Sequence, residues 1–260
     1  MTKILKISKS GYYKYKEPKA KKDELINLIK TVFNDNRRVY GTRKIKVELA
    51  KLGYKVSRRR ISRLMHQLGL VSVYTHKKYR NHNQSVNNSP KTNVINRDFN
   101  NRKENEVIVS DLTYVRVLNE WNYICIILDL YAREIVGYSC GKNKDSQLVY
   151  QAFSKIKMNL NEYIYFHSDR GGEFNSYIID DLLDAFKIER SLSEKGSPYD
   201  NAVAEATFKI IKKELIQNKV YQSIRELEME LAAYVYWFNN QRIHSTLGYL
   251  SPAEYKQLSL

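Results

Sequence analysis

The stretch "EVIVSDLTYVRV", residues 106–117, begins the part of the chain whose pattern decides the fold. It is rich in β-branched residues, and two runs of the same kind, "NYICIILDLY" and "REIVGYSCG", follow it after short turns. Runs of this composition predict strands, and short connections between them predict antiparallel neighbours. Residues 106–141 therefore predict a three-stranded antiparallel meander.

Helices and strands alternate after the meander. The patterns predict a helix at about 144–160, a strand at 162–168, a helix at 174–186, a short strand near 188–193 and two long helices, at about 198–217 and 223–239. Three strands followed by helix, strand, helix, strand and helix is the order of a ribonuclease-H-like α/β fold. We therefore predict a mixed sheet covered by helices, although a fold by itself assigns no function.

The chain before the strands is predicted to be helical. A helix is expected at about residues 22–33, and two amphipathic helices are separated by Gly53, with Ser57 as the N-cap of the second. Helix, glycine turn and helix is the layout of a small all-α helix-turn-helix domain. A solvated arginine face on an ordinary helical hairpin is the alternative to DNA contact. The arginines expected to meet DNA are Arg58, Arg59, Arg60 and Arg63.

Charge is distributed unevenly along the 260 residues. Residues 1–104 contain 27 lysines and arginines against 7 acids, a net charge of +20, whereas the remainder has a net charge of −4 and the whole chain +16. A positive excess confined to one segment concentrates anions near the surface and is typical of nucleic-acid-binding proteins. DNA is therefore the predicted partner.

Four regions are expected from these patterns: a helix-turn-helix region at 1–70, a polar linker at 71–105, a catalytic core at 106–240 and a C-terminal tail at 241–260. No stretch reaches the roughly 18 apolar residues of a membrane span, and the start of the chain lacks the apolar core of a signal peptide. Cys125 and Cys140 lie in apolar runs without metal-ligand spacing, which favours buried thiols in a reducing compartment. The predicted location is cytoplasmic.

Asp111 is the acid that turn chemistry explains least. It lies inside the first predicted strand between apolar residues, where a carboxylate is costly unless it is paired or binds a cation. An exposed edge strand is the alternative. Glu205 falls within the helix predicted at 198–217, among small residues, and the alternative for it is a surface pair with Lys209.

Asp169 follows a predicted strand in "YFHSDRGGEF", residues 165–174. Asp followed by glycines is ordinary turn chemistry, so a turn and a ligand are both open at this position. Glu173 is expected to be a first-turn acid that faces the dipole of the next helix. Carboxylates from two strands and a helix suit two Mg²⁺ ions about 3.5–4 Å apart, which serve in-line phosphoryl transfer. The predicted catalytic residues and metal ligands are Asp111, Asp169 and Glu205.

The chain resembles the second-reading-frame (OrfB-type) transposases of bacterial insertion sequences, which carry a retroviral-integrase-like Asp-Asp-Glu catalytic core. The resemblance rests on "SDLTYV" at Asp111, "HSDRGGEF" at Asp169 and "SPYDNAVAEATFKIIKKE" at Glu205, with 35 residues between the last two acids. "YGTRKIKVELAKLGYKVSRRRISRLM" and "FNNQRIHSTLGYLSPAEY" resemble the family's helix-turn-helix and C-terminal regions. The match therefore runs through nearly the whole chain.

The resemblance implies a DNA transposase that cuts DNA at the element ends and joins it to a target, with water and then a 3′-hydroxyl as the attacking groups. It implies two Mg²⁺ ions, for which Mn²⁺ can substitute. It also implies a homo-oligomer on DNA, an upstream-frame protein as partner or fusion, and a nucleoid-associated protein of the bacterial cytoplasm. A ribonuclease-H-like DNA nuclease and a non-catalytic DNA-binding regulator are the rival functions.

Further residues are expected at the DNA backbone, of which Lys212 matches the basic residue on the family's catalytic helix. Capping of neighbouring elements is the alternative for Arg242 and His244, and His167 is expected to be structural rather than a phosphate ligand. The predicted DNA contacts outside the second helix are Lys212, Lys209, Tyr199, Arg43 and Arg242.

Overall fold

A computed structural model of the chain describes residues 24–75, 102–193, 202–217 and 219–259. These residues form two compact units, which divide between Ser72 and Val73. Tyr199, most of the predicted linker and the start of the helix predicted at 198 lie outside the described residues. The four predicted regions and their boundaries stay a prediction.

Three helices form the first unit: α1 (Glu24–Asp35), α2 (Thr42–Lys51) and α3 (Arg58–Gln67). Their apolar faces meet in one small core, as the amphipathic pattern of the sequence predicts. The largest fully buried side chains of this core are Ile29, Phe33, Tyr40, Ile45, Leu49 and Ile61.

The turn between α2 and α3 explains where the second of these helices begins. Gly53 has a φ of +86°, a conformation that glycine adopts at little cost. Ser57 Oγ accepts a hydrogen bond of 3.3 Å from Arg60 N–H, which satisfies one of the N–H groups at the start of α3. The predicted glycine turn and serine cap are confirmed.

The second unit is built on a five-stranded mixed sheet with the strand order β3-β2-β1-β4-β5. The first three strands pair antiparallel, whereas β4 runs parallel to both β1 and β5. The predicted meander and the ribonuclease-H-like mixed sheet are confirmed. The strands are β1 (Val107–Val117), β2 (Glu120–Asp129), β3 (Ile135–Gly141), β4 (Tyr165–Ser168) and β5 (Glu189–Leu192).

The helices described in the second unit are α4 (Ser146–Phe153), α5 (Tyr177–Ala185), α6 (Ala202–Ile211), α7 (Ile224–Asn240) and α8 (Pro252–Ser259). A single π turn, Lys212–Ile216, continues α6. No helix in the described ranges is long and apolar enough to span a bilayer.

Two helices are shorter in the structure than the sequence pattern predicts. The helix predicted at 144–160 ends at Phe153, because the chain turns there to reach a short 3₁₀ helix, Leu160–Glu162, and the buried Tyr163. The helix predicted from 174 begins at Tyr177, because the turn that starts at Gly171 continues to Asn175. The helix α8 was not predicted, and it lies in the predicted C-terminal tail.

The main core lies between one face of the sheet and the helices α4 and α5. Gly137 on β3 lets α4 approach closely, since a Cβ at this position would lie 2.5 Å from Ala152 O. Cys125 and Cys140 are both unbridged and buried, as predicted. The fully buried members of the core cluster include Ile108, Cys125, Ile127, Val149, Ala152, Phe166 and Ile179.

The long helix α7 packs against β3. At its end, Asn239 bonds the backbone of this strand twice: Ile135 N–H donates to Asn239 Oδ1, and Asn239 Nδ2 donates to Ile135 O, both at 2.9 Å. The amide side chain thus makes the two hydrogen bonds that a neighbouring strand would make at this residue.

Candidate active site

Asp111 and Asp169 are brought side by side by the parallel pairing of β1 and β4. The register matches Val109 with His167. Continued by two residues, it sets Asp111 level with Asp169, which directly follows the last residue of β4. Because neighbouring strands lie about 4.8 Å apart, the two residues are neighbours across the sheet, and the charge of Asp169 acts on Asp111.

Each aspartate uses one carboxylate oxygen for a local backbone hydrogen bond. Asp111 Oδ1 accepts from Leu112 N–H at 2.7 Å, and Asp169 Oδ1 accepts from Gly171 N–H at 2.9 Å. Within the described part of the chain, neither Oδ2 accepts a hydrogen bond. The turn and the ligand that the sequence left open for Asp169 are therefore compatible, and the oxygens present suit a hard cation.

Burial and nearby negative charge raise the pKa of the Asp111 carboxyl to about 7. Burial is the larger cause, and the charge of Asp169 is the next. The Leu112 N–H bond and the charge of Lys212 act in the opposite direction, while the charge of Glu205 adds to the rise. Asp111 is thus a half-buried acid whose ionised form is not offset by the positive charge around it.

The pKa of Asp169 is raised as well, again mainly by burial. The Gly171 N–H bond lowers it, the charge of Glu173 raises it and the charge of Lys144 lowers it. Both aspartates are consequently destabilised in their ionised forms, mainly by burial, and a cation bound beside them would favour those forms.

Glu205 lies in the first turn of α6, and Lys209 Nζ stands 3.4 Å from its Oε2. This is the surface ion pair that the sequence offered as the alternative to a metal ligand. The Glu205 side chain is 40% exposed and the Lys209 side chain 60%. Among the described residues, no three acids, histidines or cysteines are arranged to hold one metal ion. The structure places Asp111 next to Asp169 across the sheet, and Glu205 is close enough for its charge to raise the pKa of Asp111.

Glu173 does not face a helix dipole, so that prediction is wrong. It lies in the turn before α5, where its carboxylate is buried and forms an ion pair of 3.0 Å with Lys144. The same carboxylate fills the space beside Gly171 that a side chain would occupy, which explains the glycine at this position.

Lys144 is a residue of the site that the sequence analysis missed. Burial tends to lower its pKa, but the hydrogen bond and charge of Glu173, followed by the charges of Asp169 and Asp111, produce a net rise. Lys144 directly precedes Asp145, whose carboxylate caps α4 by accepting from Leu148 N–H. The cap fixes the backbone at this point, but nothing in the sequence distinguishes Lys144 from a solvated lysine.

His167 is structural, as expected. It is fully buried in β4, and its ring nitrogens lie 2.9 Å from Ser191 Oγ and 3.1 Å from Ser193 Oγ. The ring thereby ties β4 to β5 and holds the strand end that precedes Asp169.

The prediction that Arg242 contacts DNA is not supported by its position, because its side chain is only 5% exposed. Its guanidinium donates to both oxygens of Glu214, Nη2 to Oε1 at 2.8 Å and Nε to Oε2 at 2.9 Å. The Glu214 carboxylate also accepts from Tyr234 Oη at 2.9 Å and from Tyr74 Oη at 2.5 Å. Of the two readings kept open for Arg242, the capping one describes this structure.

The Glu214 network has consequences for α6, the helix that carries Glu205. Glu214 lies in the π turn that continues α6, and Tyr234 and Arg242 lie on or just after α7. Burial alone would lower the pKa of Arg242, but the charge and hydrogen bonds of Glu214, with smaller contributions from Tyr234 and Tyr74, together raise it. A fully paired buried arginine and glutamate therefore fasten the end of α6 to α7.

In the first unit, α2 and α3 line a cleft of about 830 Å³. Three of the predicted DNA contacts, Arg58, Arg59 and Arg63, lie on its wall, whereas Arg43 and Arg60 are exposed outside it. The other lining residues are Thr42, Ser62, His66 and Gln67.

Comparison with known proteins first identifies the class of protein. The HTH-like domain family matches residues 20–78, and integrase core domain families match residues 101–198 and 205–260. Among solved structures, the HTLV-2 integrase catalytic core domain in complex with magnesium is similar over 58% of this chain and 95% of that chain, with 17% identity and a TM-score of 0.46. The family models thus give the class: integrase core domains preceded by an HTH-like domain.

Relatives that span nearly the whole chain narrow the class to a family. The chain is 33% identical to the insertion element IS600 uncharacterized 31 kDa protein of Shigella sonnei, over 99% of this chain and 97% of that protein. It is 31% identical to the putative transposase for insertion sequence element IS986/IS6110 of Mycobacterium tuberculosis, over 95% and 94% of the two chains. The chain belongs to the insertion-sequence transposases, and it is a DNA transposase, an enzyme that cuts and joins DNA.

Proposed function

We propose that the transposase reaction takes place at Asp111, Asp169 and Glu205, which hold two Mg²⁺ ions in the DNA complex, with Mn²⁺ able to substitute. The observation that carries the proposal is the β1–β4 register, which sets Asp111 level with Asp169. Two acids held together in a buried place, each with a raised pKa, favour a cation between them.

Glu205 becomes the third metal ligand by leaving its ion pair with Lys209. In the structure it pairs with Lys209, and exposed pairs four residues apart on a helix contribute only about 0.3–0.5 kcal/mol. Breaking this pair therefore costs little compared with coordination of a divalent ion. Lys209 is then available for a DNA phosphate.

The chemistry is two in-line displacements at phosphorus. Water first breaks the phosphodiester at the element end and leaves a 3′-hydroxyl; that hydroxyl then attacks a target phosphodiester, forming one P–O bond as another breaks. The bound ions would activate the attacking oxygen and stabilise the leaving oxygen. Positioning and charge account for most phosphoryl-transfer catalysis, so no covalent protein intermediate is required.

The DNA backbone is held by basic side chains in both units. Lys212 and Lys209 flank the acids, and the cleft with Arg58, Arg59 and Arg63 offers a second phosphate-binding surface. An element has two ends, so we also propose that copies of the chain assemble on DNA. An upstream-frame protein as partner or fusion remains a prediction from the family resemblance.

Substituting Asp169→Asn tests the catalytic assignment. The variant and the unchanged chain are incubated with a labelled element end, target DNA and Mg²⁺, and joined product is measured. We expect joining to fall by at least about a thousandfold, since a ligand of the reacting centre is lost, while DNA binding persists.

Asp181→Asn is the matched control, because Asp181 is an exposed aspartate on α5. It should join DNA as the unchanged chain does. Joining that survives in Asp169→Asn would refute the assignment, and cutting without joining by the unchanged chain would favour the nuclease.

A further inference from the structure

An exposed pair of aromatic rings lies at the end of the β1–β2 hairpin. Tyr114 on β1 and Trp121 on β2 stand edge to face, with ring centroids 5.2 Å apart and an interplanar angle of 88°. Tyr114 is 46% exposed and Trp121 is 54% exposed. Large rings of this size are normally covered, so their exposure needs an explanation.

A cationic side chain lies over each ring. The Arg116 guanidinium carbon lies 5.5 Å from the centroid of Trp121, and Lys212 Nζ lies 5.4 Å from the centroid of Tyr114. Both distances are within the range of cation–π attraction. The result is a row of two rings with a cation at each end, in the order Lys212, Tyr114, Trp121 and Arg116, that presents both positive charge and aromatic surface.

Stabilisation of the hairpin alone does not require this arrangement. Cross-strand pairs that include aromatic residues do stabilise antiparallel strands, and Arg116 is directly opposite Trp121 in the register. However, a second tyrosine–tryptophan pair among the described residues, Tyr234 with Trp237, is buried, with exposures of 0% and 4%. A tyrosine–tryptophan contact in this fold can therefore be covered, and that of Tyr114 with Trp121 is not.

The exposed rings adjoin the candidate active site. Tyr114 follows Asp111 by three residues on β1, about 10 Å along the strand, and this odd spacing directs the two side chains to opposite faces of the sheet. Lys212 links the two places, since its ammonium lies over the Tyr114 ring and its charge lowers the pKa of Asp111. A DNA strand that reaches the acids and contacts Lys212 would therefore also come close to the rings.

The chemistry of the row fits one occupant. Aromatic rings stack on nucleic-acid bases, and flanking cations attract the phosphates on either side. The acid Glu120 at the hairpin turn is already paired with Lys142, at 3.4 Å, so the local charge is positive. A base inside a duplex has both faces covered, so only an unpaired base can stack here.

We propose that Tyr114 and Trp121 form a stacking site for an unpaired base of the DNA end whose phosphodiester is cut and joined at the acids. This inference rests on the proposed function, since it assigns the DNA beside the reacting phosphate to a specific surface. The site holds the separated strand and thereby positions the neighbouring phosphodiester.

Tryptophan fluorescence tests the site directly. The chain contains 2 tryptophans, and only Trp121 is exposed. The full chain is titrated, with EDTA present to prevent cutting, with a duplex that has a two-nucleotide 3′ overhang and with a blunt duplex of equal length. We expect the overhang duplex to quench the fluorescence, and the blunt duplex to quench it much less.

Two substitutions at Trp121 separate the signal from the affinity. Trp121→Phe keeps a ring, so it should abolish the quench and retain affinity for the overhang within about twofold. Trp121→Ala should weaken binding of the overhang duplex roughly fivefold or more, since stacking of one base contributes about 1–3 kcal/mol. It should leave the affinity for the blunt duplex unchanged.

Tyr236→Ala is the matched control, because Tyr236 is a 66% exposed tyrosine on α7. It should change neither affinity. The same quench in Trp121→Phe, or equal weakening of both duplexes by Trp121→Ala, would overturn the proposal. Asp169→Asn should still show the full quench, so a failed catalytic assignment and a failed stacking site give different results.

Discussion

At the scale of single residues, the Asp111 carboxylate serves the proposed metal site but its ionisation lowers the stability of the fold. A strand buried in a sheet favours apolar side chains, yet this position carries a carboxylate whose pKa is raised to about 7, by burial first and by the charge of Asp169 second. An acid with a folded-state pKa above its unfolded value binds more protons in the folded state between those two values. Its ionisation therefore destabilises the fold as pH rises.

Asp111→Asn should stabilise the metal-free chain in a pH-dependent manner. At pH 8 the aspartate is ionised and the amide is not, so the thermal midpoint of the variant should be higher by roughly 5 °C. The difference should shrink as pH falls from 7 to 4 and vanish below pH 4, where Asp111 is protonated in both states. Thermal unfolding followed by circular dichroism at a series of pH values measures this.

The exposed Asp181 provides the comparison for that experiment, and Asp181→Asn should show a difference close to zero at every pH. Saturating Mg²⁺ should raise the midpoint of the unchanged chain at pH 8 and have little effect on Asp111→Asn, since a ligand that binds only the folded state stabilises it. An equal difference at pH 4 and pH 8 would show that the charge of Asp111 is not its cause.

At the scale of elements, the π turn after α6 decides where two neighbouring side chains point. Lys212 begins the turn and lies over the exposed ring of Tyr114, whereas Glu214, two residues on, is fully buried and holds Arg242. The wider turn changes the angular spacing of successive side chains, and π turns are frequent at functional sites. The position of Lys212 beside the acids therefore depends on the burial of Glu214.

Arg242→Ala should destabilise the second unit by about 3–5 kcal/mol, because it leaves the buried Glu214 carboxylate without its cation. Urea denaturation measures the free energy of unfolding. Lys219→Ala is the control, since Lys219 pairs with Glu230 at 2.7 Å with both side chains about 40% exposed. It should cost at most about 1 kcal/mol. Weaker DNA binding by Arg242→Ala without loss of stability would restore the DNA contact predicted from sequence.

Strands were more predictable than ion pairs in this chain. Residues 106–141 carry a local signal, since composition and turn residues mark each strand, and their pairing follows from the short connections. Glu214 and Arg242 lie 28 residues apart, and an acid in "KKELI" looks like any charged helix residue. The burial that makes this pair important is created only by tertiary packing, and the same holds for Lys144 with Glu173.

The candidate site could likewise be predicted only in part, because the sequence carries local signals and not tertiary contacts. Asp111 stood out because an acid inside an apolar strand conflicts with its surroundings, whereas Asp169 was open to a turn interpretation and was assigned as a ligand from the accompanying acids and the family spacing. For Glu205 the sequence offered a ligand and a surface pair with Lys209, and it could not show that the structure contains the pair. The helix α8 was missed because only a family motif marked its region.

At the scale of the whole molecule, positive charge is concentrated in residues 1–104 and the acids in the remainder. The first unit, residues 1–72, thus has the composition of a phosphate-binding domain, whereas the second, residues 73–260, is close to neutral, with 24 lysines and arginines against 23 acids. Binding that depends on phosphate contacts releases counterions, so its affinity falls as salt rises.

Arg58→Ala and Arg59→Ala should each weaken DNA binding and reduce the slope of log affinity against log salt by about 1, because both side chains line the cleft of the first unit. Fluorescence anisotropy at several salt concentrations measures the slope. Arg60→Ala is the matched comparison on the same helix, and its smaller effect is expected because Arg60 lies outside the cleft. Equal slopes for all three variants would assign the binding to general charge rather than to the cleft.

The amide of Asn239 has a consequence for the behaviour of the protein at high concentration. The strand β3 is at one edge of the sheet, and an edge strand offers unpaired N–H and C=O groups to any extended segment it meets. Asn239 occupies both groups of Ile135, and α7 packs against the strand. One asparagine thereby blocks a point at which a foreign strand could pair with this edge.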